Sequence, residues 1–129
     1  MGGQALVRIR RVRRQAACPK CGKLSPRHSV QRRQLRDLGL TGPAVTELAL
    51  SYHRCSDCEK FFMLPADDVA EPGSSFTNRV KEKVLQSVYQ DGLPVDAVVG
   101  RMRRDFHVRV PRSTLYYWLS LAGGKGRTR

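Results

Sequence analysis

The chain has 129 residues, enough for one ordinary domain or two small ones. Lysine and arginine number 24 against 11 acids, giving a net charge of +13 and a pI near 10.5, with arginine in the majority. No apolar run approaches membrane-spanning length, and the charge is spread over both halves rather than along one amphipathic helix, so membrane and lipid-surface classes are set aside.

Residues 1–64 carry all four cysteines and a charge of +9 (13 basic, 4 acidic residues). Arginines interrupt the apolar stretch of residues 1–14, which leaves no signal-peptide core, so a cytoplasmic, nucleoid-associated location with reduced thiols is expected. Ala5, Val7 and Ile9 alternate with Leu6, Arg8 and Arg10, the period of a strand. Residues 30–38 alternate loosely up to a turn at Gly39 and Thr41-Gly42-Pro43. Thr46, Leu48, Leu50 and Tyr52 then alternate with Val45, Glu47, Ala49, Ser51 and His53. Phe61, Phe62 and Leu64 are expected to close the sheet, with Phe61 and Phe62 in its core.

Residues 65–75 hold three acids, two prolines and a Gly-Ser-Ser run, the composition of a linker. From residue 76 the period changes. Phe76, Val80, Val84 and Val88 recur every fourth residue up to Asp91-Gly92, a helix ending. Pro94 opens a second helix with Val95, Val98, Val99, Met102 and Phe106 on one face. A loop at 107–110 and Pro111 lead to a third helix, whose Leu115, Trp118, Leu119 and Ala122 are expected to face inward. Gly123-Gly124 should stop it, leaving a disordered basic tail over 123–129. The domains so read are 1–64, a linker at 65–75, and 76–122.

Two motifs carry chemistry. Cys18-Pro-Lys-Cys21 and Cys55-Ser-Asp-Cys58 are paired C-x-x-C knuckles, each able to present two thiolates from a tight turn. The 33 residues between the pairs fit a long β-hairpin turning at 39–43. Four thiolates complete a tetrahedron and leave no open position for water, so one structural Zn²⁺ is expected at Cys18, Cys21, Cys55 and Cys58. His28, His53 and His107 are then not needed as ligands, although His53 lies two residues from Cys55.

The short connection between the second and third helices is that of a helix-turn-helix, whose last helix enters the major groove. Spacing turns Ser113, Tyr116, Tyr117 and Ser120 outward, with Arg112 at the positive N-terminal end. Arginine clusters at 8–14, at 27–36 and at 101–104 add polyanion affinity. The expected DNA contacts are therefore Arg32, Arg33, Arg36, Arg101, Arg103, Arg104, Arg112, Ser113, Tyr116, Tyr117 and Ser120. No phosphate loop, nucleophile elbow or paired carboxylates are present, so no catalysis is expected on this chain, and no small-molecule substrate.

Cys18-Pro-x-Cys21-Gly, Arg36-Asp37-Leu38 before a turn, His53-Arg54 running into Cys55-x-x-Cys58, and Phe61-Phe62 together resemble the N-terminal zinc ribbon of a family of bacterial insertion-sequence transposases. Arg112-Ser113-Thr114-Leu115-Tyr116-Tyr117-Trp118-Leu119 is similar to the recognition helix that follows it there. The resemblance covers about residues 5–122 and implies an α+β chain, a small β-rich zinc ribbon followed by a three-helix helix-turn-helix domain. It implies recognition of element ends or an operator on double-stranded DNA, alone, as a homodimer, or beside a catalytic domain. Transposases of this kind continue into a ribonuclease-H-like domain with an Asp-Asp-Glu triad, which these residues do not supply. A standalone transcriptional repressor, or an RNA-binding or ribosome-associated zinc-ribbon protein, shares the same charge and knuckles.

Overall fold

The computed structural model describes residues 5–124, a mixed α/β chain of five strands forming a curled sheet and three helices. The strands are β1 (Ala5–Arg11), β2 (Gln15–Ala17), β3 (Leu24–Asp37), β4 (Ala44–Cys55) and β5 (Lys60–Met63). The helices are α1 (Asn78–Tyr89), α2 (Val95–Phe106) and α3 (Arg112–Gly124).

The long β3–β4 hairpin is the spine. Its pairing runs from Asp37↔Ala44 to Arg27↔His53, with a register shift between Arg27 and Ser29. At the turn, Gly39 lies so close to the following backbone that a Cβ there would sit 1.8 Å from the Gly42 carbonyl oxygen. Only glycine fits. On the other edge of β4, β1 pairs in parallel with residues 44–50 and β5 pairs antiparallel with residues 52–55. β2 pairs with the start of β3, completing the order β1-β4-β3-β2 with β5 beside β4. The alternation of apolar residues identifies β1, but nothing local marks its parallel partner. The three residues of β2 carry too short a pattern to read.

Side chains two apart share a face of a sheet, and directly paired residues across strands share it too. Ile9, Leu35, Leu48 and Leu50 therefore lie together, and Ala66 and Ala70 are buried against them, with Val69 packed alongside. Residues 65–75, whose composition reads as a linker, thus cover half of one sheet face. Arg33 fastens this segment by donating to the carbonyls of Glu71 (3.2 Å) and Ser74 (2.6 Å). The small alanines allow close approach, and the segment's prolines cost no ladder bond because it is not a strand.

The helices enclose a second core of Phe76, Val80, Val84, Val98, Met102, Val108, Val110, Leu115 and Trp118, to which Leu38 of the hairpin is added. The three apolar stripes of the sequence are the buried faces. Ala122, on α3, is an exception: it is exposed. The helix also continues through Gly123-Gly124, where a stop was expected; of the expected tail, residues 125–129 lie outside the described residues. α1 ends ahead of Gly92, whose φ of +68° suits glycine, whereas α2 ends on His107 at φ 56°.

The helical unit is fastened to the turn end of the hairpin. The Arg36 N–H donates to the Ser75 carbonyl at 2.8 Å, and the Thr77 N–H donates to the Arg36 carbonyl at 3.0 Å. The Gly39 N–H donates to the Phe106 carbonyl at 2.8 Å. The buried Asp37 carboxylate accepts from the hydroxyls of Thr46 (2.7 Å) and Thr77 (2.8 Å) and from the Leu38 N–H, with Arg79 at 3.3 Å. Thr77, at the N-cap of α1, spends its hydroxyl on Asp37 rather than on its own helix. No helix among the described residues is long and apolar enough to cross a membrane.

Candidate metal centre and basic surfaces

At the opposite end of the hairpin the two knuckles meet. Cys18 and Cys21 stand on the turn between β2 and β3, Cys55 ends β4, and Cys58 lies in the turn to β5. The four Sγ atoms all lie within 4.8 Å of one another, with Cys18–Cys58 at 3.8 Å and Cys21–Cys55 at 3.6 Å. Four thiolates around one tetrahedral ion at about 2.3 Å would lie about 3.8 Å apart. The cluster is of the size that one metal ion needs.

Local backbone geometry brings this about. The Gly22 N–H donates to the Cys18 carbonyl at 2.8 Å, and Gly22 adopts φ +79°. Glu59 holds the matching place after the second knuckle at φ 53°, so one turn uses glycine and the other bears a left-handed residue. The Lys20 N–H points at Cys18 Sγ and the Cys58 N–H at Cys55 Sγ, each at 3.4 Å. These amides favour thiolate: the Cys58 N–H pulls Cys55 down to about 6, and the Cys21 N–H lowers Cys18. The hydrogen bond to the Cys21 sulfur pushes Cys58 up to about 12. Cys21 is also raised: the Lys23 N–H is the strongest single influence and lowers it, but the bond to Cys55 and burial together outweigh that. Ionisation is thus favoured at Cys55 and Cys18 and opposed at Cys58 and Cys21 beside them. A cation is what four thiolates at this spacing require.

His53 stacks on Phe62 behind the cluster, fully buried. Its Nδ1–H donates to the Ser25 carbonyl at 3.0 Å, which leaves Nε2 to accept from the Ser51 hydroxyl at 2.7 Å. Both ring nitrogens are committed, so His53 neither joins the ligands nor reaches solvent. Ser51 also accepts from the Arg13 N–H at 3.2 Å, which ties the β1–β2 connection to the sheet. Phe61, expected in the core, is instead 47% exposed, stacked on Tyr52 at 5.6 Å with the Arg54 guanidinium 6.0 Å from its ring. The covering segment of residues 65–75 shields only the other half of that face.

On α3, Leu115 and Trp118 are buried and Arg112, Ser113, Tyr116, Tyr117 and Ser120 are exposed. Arg112 is paired with Asp96 at 2.7 Å, and the Ser120 hydroxyl donates to the Tyr117 carbonyl at 2.8 Å. Arg103 and Arg104 are exposed on α2, the latter 3.5 Å from Asp105. Arg101 is turned to Asp91 (2.6 Å) and the Ser87 hydroxyl (3.3 Å). Arg32 and Arg36 are exposed on β3, with Arg36 resting 5.6 Å over the Phe76 ring, whereas Arg33 lies on the opposite face under residues 65–75. Arg33 apart, the expected DNA contacts therefore fall on two separate surfaces, one on the helices and one on the sheet. Arg8 and Arg10, read from the sequence as part of a basic cluster but not among the expected DNA contacts, join the sheet surface; the strict alternation of β1 is the signal that separates them from Arg11.

No family model, characterised protein or solved structure matches the chain.

Proposed function

We propose that the chain is a zinc-dependent DNA-binding protein or transposase DNA-binding region, with residues 1–64 acting as a zinc ribbon and residues 76–122 as a helix-turn-helix. One observation carries this reading. α3 buries Leu115 and Trp118 while presenting Arg112, Ser113, Tyr116, Tyr117 and Ser120 on its open side, after a connection of only five residues from α2. A helix so supported can enter a major groove, where hydroxyl and guanidinium groups meet base edges and phosphates. The charge of +13 supplies the sequence-independent attraction.

The metal is structural zinc in this reading, because an all-thiolate tetrahedron favours Zn²⁺ and leaves no open coordination position. The Cys18, Cys21, Cys55 and Cys58 thiolates would hold it and so join the β2–β3 turn to the β4–β5 turn. The chain itself performs no catalysis; strand cutting, where it occurs, belongs to another domain or partner. Selection of bound duplexes from a random pool tests the function. An enriched motif, above all an inverted repeat, is expected; a pool without enrichment, or preference for structured RNA in competition, would overturn sequence-specific DNA reading.

A further inference from the structure

The N-terminal arginines do not form one surface, because the period of a strand divides them. Arg11 and Arg33 fall on the covered face, where Arg11 grips Asp68 through two bonds of 2.5 and 2.7 Å and Arg33 holds the carbonyls of Glu71 and Ser74. Arg8, Arg10, Arg32 and Arg36 fall on the opposite face. The register sets them in rows across three strands: Leu6–Val45–Arg36, Arg8–Glu47–Gln34 and Arg10–Ala49–Arg32. All four arginines are exposed.

We propose that this open sheet face holds the phosphate backbone of duplex DNA, as a second contact surface separate from α3; the inference rests on the DNA-binding reading above. Charge complementarity carries it. Four guanidinium groups surround a single acid, Glu47, which lies 3.4 Å from Arg8. A merely solvated face intersperses both signs, since like charges on neighbouring strands repel and cost stability. Between Arg10 and Arg32 the register places the small residue Ala49, itself buried, so no bulky side chain stands between the two exposed guanidinium groups. Adjacent strands are about 4.8 Å apart and alternate residues about 6.8 Å apart, which places the charges on a field of about 10 by 14 Å. That field meets several phosphates of one duplex at once, and each guanidinium can fork two donors onto one phosphate. Arg36, over Phe76, stands at the seam with the helical unit, so both surfaces can engage one continuous duplex.

The test uses the metal-loaded full chain, a labelled random-sequence 30-base-pair duplex, and the triple variant Arg8→Gln/Arg10→Gln/Arg32→Gln. Each lost phosphate contact lowers the slope of log affinity against log salt by about 0.9, so three lower it by about 2.7. Between 50 and 200 mM salt the wild-type chain should then lose about 40-fold more affinity than the triple variant. Arg11→Gln, on the covered face, should keep the wild-type slope, and Glu47→Gln should tighten binding. If the triple variant melts early, the single variants Arg8→Gln and Arg32→Gln carry the test, each lowering the slope by about 0.9. A normally folded triple variant with the wild-type slope overturns the sheet surface and leaves the DNA-binding reading intact. A wild-type chain that binds no duplex overturns both.

Discussion

Gly39 and Gly100 show how the same substitution takes opposite signs. A Cβ on Gly39 would collide with the Gly42 carbonyl at 1.8 Å, and its N–H bond to Phe106 leaves the turn no freedom to move away. Gly39→Ala should destabilise the chain by about 1 to 3 kcal/mol, as overpacking does. Gly100 lies inside α2, and a Cβ there meets nothing nearer than Arg104 Nη1 at 3.7 Å. Gly100→Ala should stabilise by about 0.5 to 1 kcal/mol, since glycine within a helix sacrifices that much relative to alanine. Denaturant midpoints of the two variants check both signs, and matching signs would contradict the turn geometry. At this scale the sequence was informative where chemistry is local. Two C-x-x-C pairs disclosed the cysteine cluster, but the buried bonding of His53 to Ser25 and Ser51 joins residues 28 and 2 positions apart and depends on how the strands pair.

At the scale of elements, the proposed DNA-binding role of α3 predicts different effects for its buried and exposed faces. Trp118 is buried edge-on against Phe76, ring centroids 5.6 Å apart, while its neighbour Tyr117 is 58% exposed. Trp118→Ala should cost about 3 to 5 kcal/mol of stability. Tyr117→Ala should leave the melting curve in place and cost about 1 to 3 kcal/mol of binding on the preferred site only. Binding isotherms over a panel of duplexes distinguish the roles; an equal loss on every sequence would move base reading away from α3. The helices and the hairpin were legible because their apolar periods, 3.6 and 2, are properties of contiguous residues. The placement of residues 65–75 was not. Proline, glycine and serine mark a chain that leaves regular structure, yet they say nothing about whether Ala66 and Ala70 find Leu48 and Leu50 to pack on. Nor did counting arginines by cluster reveal that Arg10 and Arg11 face opposite ways.

The whole molecule is a spine fastened at both ends. From Ala44 to Cys55, β4 spans about 36 Å at the rise of a strand, with the helical unit at one end and the thiolate cluster at the other. The middle is held by Leu35, Leu48 and Leu50 under Ala66 and Ala70, independent of either end. Metal removal should therefore act locally first. With a chelator, amide exchange should accelerate over residues 15–29 and 52–63, where the knuckles close the short β2 and β5 ladders, because metal binding there is folding free energy. Amides of Val80, Val84, Val98 and Leu115, in a core of their own at the turn end of the hairpin, should stay protected. Asp37→Ala should act differently. It takes the shared acceptor from Thr46 on the sheet and Thr77 at the start of α1, and it leaves Arg79 without its partner. Charge-assisted bonds of this kind justify a cost of about 3 kcal/mol. Exchange should then accelerate in α1 and around the 38–43 turn while the metal stays bound. If the chelator exposes the helical core as fast as the knuckles, the chain unfolds as one unit and the spine transmits the loss of metal along its full length.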